Sequence, residues 1–268
     1  MTVSMNRRTF AGSLAAGLGA AMLTTAAPFA VADTLSDIKK KGVVNVGLLV
    51  DFPPYGTTNA QNQPDGYDAD VARLLGKDWG IKVNLVPVTG PNRIPYLLTG
   101  KVDMLIASLA ITPERAKQVT FSKPYSAATI VLYASKKANI KGAQDLKKYR
   151  IGVARASTQD VAITQMAPQG TEIHRFDDDA SAMQALISGQ VDAIGCSTTV
   201  AAQIAKRVPP NTFEQKFVLK QQEMAVALRP ADKDLLKAVN DFVVKNTNNG
   251  ELNKLYHKWL ESDLPKML

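Results

Sequence analysis

The chain has 268 residues, 46% apolar and 21% charged, an ordinary globular composition that excludes wholesale disorder and a polytopic membrane protein. One cysteine, Cys196, and two distant histidines, His174 and His257, build neither a disulfide framework nor a zinc-ligand spacing, so no metal or cofactor is expected. The net charge of +8 is scattered, and two tryptophans with few other aromatics offer no stacking platform, so no nucleic-acid partner is expected.

Residues 1–32 hold Arg7 and Arg8, no acidic residue, an Ala/Gly/Leu-rich stretch over 11–27, and Ala30-Val31-Ala32 before Asp33. That is the tripartite pattern of an export signal removed after Ala32. Gly12, Ser13, Gly17, Gly19, Thr24 and Thr25 dilute the apolar stretch too far for a membrane span, which needs about 20 strongly apolar residues. Arg7-Arg8 with Thr9 and Phe10 resembles a twin-arginine signal, an ordinary charged n-region being the alternative. With no lipid-anchor cysteine before the cut, the product is expected free in a bacterial periplasm, with 30 basic and 24 acidic side chains.

Residues 43–50 form a β-branched apolar run, read as a buried strand that ends at Asp51 and Pro53-Pro54. Residues 68–79 place Val71, Leu74 and Leu75 at helical spacing, stopped by Gly80. The alternation continues with a strand over 83–88, a helix over 92–99 and a strand over 102–108. Thr112-Pro113 then opens a helix, threonine as N-cap and proline in the first turn. A second series follows: strand 150–154, helix 158–166, strand 172–176, helix 180–188, strand 191–196 and helix 199–207. Two final helices, 232–245 and 251–260, are expected to pack back on the first half. Such alternation predicts an α/β fold with a parallel or mixed sheet covered on both faces.

Residues 97–108 align without gaps on 186–197, matching at five of twelve positions; each copy is a helix, a glycine stop and a strand ending in serine. Two α/β lobes of similar build are one explanation and shared helix-to-strand chemistry the other. Open α/β sheets bind ligands beyond the carboxyl ends of their strands, where Ser108 and Ser197 sit. Facing lobes would put the two serines on opposite walls of one cleft and couple binding to hinge closure. The crossing runs are expected at 129–135 and 221–228, giving lobe 1 as residues 33–130 with 226–268 and lobe 2 as 131–225.

Asp51-Phe52-Pro53-Pro54-Tyr55, Gly66-Tyr67-Asp68-Ala69-Asp70, Gly100-Lys101-Val102-Asp103, Ile111-Thr112-Pro113-Glu114-Arg115-Ala116-Lys117 and Phe121-Ser122-Lys123-Pro124-Tyr125 occur in this order. Together they resemble the amino-acid-binding proteins of bacterial ABC importers, solute-binding protein family 3, over about residues 40–260. The resemblance implies a two-lobed periplasmic-binding-protein-like fold of type II, with two crossover strands and a ligand closed between the lobes. It also implies a small amino acid or related carboxylate as ligand, a membrane ABC permease as partner, and a monomer.

By motif position, Arg115 resembles the arginine that clamps the ligand α-carboxylate by a bidentate pair; a surface partner of acidic neighbours is the alternative. Phe52 resembles the aromatic that stacks on the ligand side chain, against core packing at a strand end. Ser108 resembles the position that contributes a hydroxyl or backbone oxygen. Thr158, beside Ser157, sits where the second lobe supplies a threonine N-cap and further carboxylate donors, a plain helix cap being the other reading.

Two positions depart from the family pattern. Cys196-Ser197-Thr198 stands where an aspartate usually accepts from the α-ammonium, and Ala110 where a hydroxyl residue is common. A buried ammonium needs an anion. Asp51 or Glu223 is expected to take that role, or the ligand is not an ordinary α-amino acid. The run from Thr89 to Pro95, with Asn92 and Arg93, resembles the loop of glutamate and aspartate binders in which the arginine receives the side-chain carboxylate. Arg155 adds a positive group. An acidic amino acid or dicarboxylate is therefore expected first, a neutral or polar amino acid second, with balance of Asp103, Asp160 or Asp177-Asp178-Asp179 as the competing role for these arginines.

The competing class is an enzyme, because cyclohexadienyl dehydratases share this fold. Elimination needs a general acid, for which Asp51 and Glu223 are the near-cleft candidates. No Ser/His/Asp order is readable, and Cys196, following a buried strand, reads as an inert core thiol. Binding without catalysis is expected. A sensor fused to a kinase or channel is disfavoured, since no further domain or membrane segment follows.

Overall fold

The computed structural model describes residues 34–265 and 267. The expected export signal lies outside the described residues. The elements run α1 (Thr34–Lys41), β1 (Val43–Leu48), β2 (Thr57–Thr58), β3 (Pro64–Asp65), α2 (Tyr67–Trp79), β4 (Lys82–Pro87), α3 (Arg93–Leu98), β5 (Met104–Leu105), α4 (Pro113–Ala116) and β6 (Thr120–Ser135). After a 3-10 turn at Ala143–Lys148 come β7 (Ile151–Ala154), α5 (Thr158–Met166), β8 (Ile173–Phe176), α6 (Asp179–Ile187), β9 (Ala193–Ser197), α7 (Thr198–Arg207), β10 (Phe213–Leu228), α8 (Lys233–Asn248) and α9 (Glu251–Leu260).

One strand order, β4-β1-β5-β10-β6-β9-β7-β8, contains the whole plan. The antiparallel pair β10–β6 stands at its centre. On the β10 side lie strands from before residue 110, with β1 parallel to both β4 and β5. On the β6 side lie strands from after residue 150, with β7 parallel to both β8 and β9. The fold has the mixed α/β sheet expected from the alternation and the two-lobed architecture that the resemblance implied. α9 packs against α2 and α8 against β6, so the C-terminal helices return to the first half.

The crossing runs expected at 129–135 and 221–228 are parts of two strands of 16 residues each. β10 shows why they are so long. Its first eleven residues are exposed or half-buried, whereas Met224 to Leu228 are fully buried, so one strand belongs to the surface of one half and the core of the other. β5 is far shorter than the strand expected over 102–108. It pairs with β1 only at Met104 and Leu105, and Ser108 then takes a left-handed φ of 48° that ends any extended run. The hairpin of β2 and β3 carried no apolar alternation and was not expected.

The principal core lies beneath α2, α8 and α9, where Tyr55, Tyr67 and Tyr125 are fully buried and Tyr256 nearly so. Tyr67 meets Tyr256 edge-on at 5.4 Å and stacks with Tyr125 at 6.0 Å, the offset geometries that aromatic quadrupoles favour. No helix of the described residues is long and apolar enough to cross a membrane.

Candidate ligand cleft

The carboxyl ends of the strands in both halves open onto one cavity of about 40 Å³. The first half contributes Asp51 and Phe52 from the end of β1, Gly90 and Arg93 from the β4–α3 connection, Ser108 and Ala110 after β5, and Arg115 from α4. The second half contributes Ala154, Arg155, Ser157, Thr158 and Gln159 at the β7–α5 junction and Asp177, Asp178 and Asp179 at the start of α6. Ile130, Gln222 and Met224 of the crossover strands form the floor.

Each wall is held by local chemistry. Thr112 caps α4 by accepting from the Arg115 backbone N–H at 3.2 Å, with Pro113 in the first turn as expected, and this fixes where the arginine emerges. Ser157, and not Thr158 as expected, caps α5 by accepting from the Asp160 N–H, and Asp178 caps α6 by accepting from the Ser181 N–H. The N-terminal ends of α5 and α6 therefore both border the cavity, where their free N–H groups favour negative charge. Phe52 closes a tight loop with Gly56 through two backbone bonds of 2.9 Å and stacks on Tyr55 at 5.3 Å.

Arg115 is half-buried. Its Nη1 donates to the Ala110 carbonyl at 2.9 Å and its Nη2 crosses to the second half, donating to the Ala156 carbonyl at 3.1 Å. No carboxylate pairs with it among the described residues. Burial pushes its guanidinium down to about 9, and the nearby Arg93 charge pushes the same way, so it is still cationic at neutral pH. Arg93 is buried, donating to the carbonyls of Gly90 and Ala107. Its own affinity for the proton is lowered by burial and supported by the fields of Asp179, Asp51 and Asp68.

Facing these cations are Asp51, which was expected at the site, and two carboxylates, Asp179 and Asp68, that sequence reasoning left outside it. Burial lifts Asp179 to about 7, with the Asp51 charge adding to it, and lifts Asp51 to about 6, with Asp178 adding to it. Gln159 donates to Asp179 at 2.8 Å. The Asp177-Asp178-Asp179 run was visible, but nothing in it said that the α6 N-terminus faces Asp51. Asp68 was quoted only as part of a motif. It is wholly buried, lifted by burial to about 6, and accepts from the Ser108 and Tyr125 hydroxyls at 2.7 Å each. The Ser108 N–H in turn donates to the Tyr125 oxygen, so two quoted motifs turn out to brace the third wall residue.

Of the residues expected at the site, Asp51, Phe52, Arg93, Ser108, Arg115, Ser157 and Thr158 line one cavity. Three do not. Ser197 is fully buried, its hydroxyl caps α7 by accepting from the Val200 N–H, and it pairs with the Thr199 hydroxyl at 2.7 Å. The carboxyl end of β9 turns straight into that helix, so the two terminal serines do not face each other. Asn92 accepts from the Thr89 N–H and shapes its own loop. Glu223 borders the groove behind the crossover strands, because alternate residues of a strand face opposite sides. Arg155 lines the rim, 3.7 Å from Asp177. Cys196 is buried, and burial pushes its thiol above the ordinary range, which leaves it unreactive.

Two halves whose strand ends share one charged cavity, joined by two crossover strands, define the periplasmic-binding-protein class of fold. The chain belongs to the bacterial extracellular solute-binding proteins, family 3, whose model matches residues 44–262. It is 30% identical over 264 residues to the L-cystine-binding protein TcyJ of Escherichia coli (strain K12), covering 98% of each chain. Among solved structures it resembles the solute receptor for L-cysteine of Neisseria gonorrhoeae, with TM-score 0.78, 30% identity and 84% and 93% of the two chains covered. It also resembles an ancestral amino-acid-binding protein, AncCDT-1, a precursor of cyclohexadienyl dehydratase, with TM-score 0.78, 33% identity and 85% and 99% covered.

Proposed function

We propose that this protein is the periplasmic receptor of an ABC importer, capturing one small amino acid in the cleft and delivering it to a membrane permease. The carrying observation is the charge geometry: a desolvated Arg115 without a carboxylate partner shares a cavity with the Asp51–Asp179 pair. A zwitterion answers both ends. Its α-carboxylate takes the arginine fork, and its α-ammonium takes the carboxylates that stand in for the aspartate absent at Ser197. Phe52 supports the side chain. The parts that close on it are 33–130 with 226–268 against 131–225.

The same balance changes the expected ligand. Arg93, Arg115 and Arg155 suggested an acidic amino acid, but Asp51, Asp177, Asp178 and Asp179 line the cleft with them. Arg93 lies in the fields of Asp179, Asp51 and Asp68, so its charge is already balanced within the protein. A neutral amino acid therefore fits better than glutamate or aspartate, and the likeness to cystine and cysteine receptors supports a sulfur-containing one.

The test is a thermal-shift panel of L-cysteine, L-cystine, L-glutamine, L-arginine, L-glutamate and succinate. A ligand at 100 times its dissociation constant adds about 2.7 kcal/mol to the folded state, a shift of several degrees. A shift with neutral amino acids supports the reading; a shift only with glutamate or succinate overturns the neutral preference, and no shift with any overturns the amino-acid reading. Catalysis is the second reading, favoured by one observation: Asp179 is a carboxyl that exchanges its proton near neutrality, as a general acid must. Recovery of the ligand unchanged after prolonged incubation removes it.

A further inference from the structure

Thr158 stands at the start of α5, and its hydroxyl proton has one short destination, Oε1 of Gln222 at 2.5 Å. The other acceptor in reach, Oε1 of Gln159, is 3.5 Å away, and that amide is committed through its nitrogen to Asp179. Gln222 sits on β10 two residues before Met224, where the strand passes from the surface of one half to the core of the other. It lines both the ligand cleft and the groove behind it. The bond thus ties a helix of the second half to the crossover.

Two consequences follow from donor and acceptor counting. A hydroxyl has one proton, so Thr158 shows the cavity only its lone pairs. Ser108 is in the same condition, since its proton goes to Asp68. The carboxylate-donor role expected for the Thr158 side chain is therefore taken from it. The second consequence concerns Gln222 itself: with Oε1 occupied, its Nε2 has no protein partner among the described residues, leaving two N–H donors on a half-buried residue of the cleft floor.

We propose that Gln222 is a specificity-determining residue of the cleft, holding the Thr158 proton so that this hydroxyl accepts from the ligand while its own amide N–H donates to it. The proposal rests on the amino-acid reading above. It assigns polarity as follows: ligand N–H or S–H groups meet Thr158 and Ser108, and ligand oxygen or sulfur acceptors meet Gln222 and Arg115.

The experiment is calorimetric titration of wild type, Gln222→Leu, Thr158→Val, the double variant and Gln222→Glu with L-cysteine, L-cystine, L-glutamine and L-arginine. Gln222→Leu and Thr158→Val should each weaken the best binder about tenfold, and the double variant by little more than either, because the pair acts as one unit. Gln222→Glu keeps an acceptor for Thr158 but replaces the donor by a charge, so the ratio of L-arginine to L-glutamine affinity should rise about tenfold. Affinities of Gln222→Leu within twofold of wild type, or single losses that multiply in the double variant, overturn the proposal. Should Gln222→Leu fail to fold, judged by its unliganded melting, Gln222→Glu decides: an unchanged arginine-to-glutamine ratio overturns it. Wild type that binds none of the four amino acids removes the amino-acid reading and this inference with it. Wild type that binds, with indifferent variants, removes this inference alone.

Discussion

A guanidinium held only by carbonyl oxygens keeps its full charge for an anion. Arg115 is such a group, and its replacement by alanine is expected to weaken amino-acid binding about a hundredfold, the worth of two charge-assisted hydrogen bonds. Calorimetry that finds less than a fivefold change would place the clamp elsewhere. Asp179 belongs to the same scale but carries a pH signature. Burial holds its proton to about pH 7, whereas an ammonium ligand needs it ionised. Binding should therefore release a proton near pH 6, and affinity should rise from pH 5 to pH 8. Asp179→Asn should flatten that profile; a wild-type affinity independent of pH would remove Asp179 from the ammonium site. Most of these side chains were legible as candidates, because a motif names its own residues. Of the acidic half only Asp51 was, since an aspartate facing another across a cleft leaves no local pattern and Asp179 had no motif to name it.

At the scale of elements, the site depends on short pieces with little margin. α4 has four residues and one side-chain cap, so Thr112→Ala is expected to cost about 1 kcal/mol and to loosen the emergence of Arg115, lowering the melting midpoint and the affinity together. The loop that presents Phe52 tolerates no side chain at Gly56, where a Cβ would stand 2.0 Å from the Leu49 carbonyl oxygen. Gly56→Ala should destabilise by about 2 kcal/mol in denaturant unfolding and displace Phe52, with binding weakened in any molecules that fold. Unaltered stability would mean that the loop shifts freely. Helices α2, α5, α7, α8 and α9 were readable within a few residues from apolar spacing and end signals. β5 was overread because an apolar run reports burial, not pairing, and Val102 and Ala107 are buried without joining the ladder.

For the whole molecule, the cleft is drawn shut. Arg115 reaches the Ala156 carbonyl, and a Cβ placed on Gly90 would come within 3.2 Å of the Arg155 carbonyl oxygen. Closure on the ligand should reduce the radius of gyration in solution scattering; an unchanged radius with saturating ligand would deny it. Asp68 keeps its Ser108 and Tyr125 partners within one half, so it holds its proton in the unliganded native state to about pH 6, while the unfolded chain releases it near 3.8. The native state then binds more protons between about pH 4 and 6, so unliganded stability should fall as pH rises through that window. Asp70, Asp78 and Asp192 are lowered and act oppositely, losing their contribution below about pH 4. The unliganded melting midpoint is thus expected to peak near pH 4, and a midpoint that climbs from pH 4 to pH 6 would contradict this account.

By itself the sequence determined the alternation of strands and helices, the family motifs and the placing of Arg115 among the candidate cleft residues, because periodicity, caps and motif order are local properties of a chain. Tertiary structure alone decided which charges meet. Ser197 and Glu223 were read as cleft residues from their places in the chain, yet one caps a helix and the other faces the groove behind the crossover. Asp51, Asp179, Gln222 and Thr158 come from four separate segments, and whether they share a cavity depends on how two halves pack around β6 and β10. Facing and burial are relations between distant parts of the chain, and the pKa of a carboxyl follows from them.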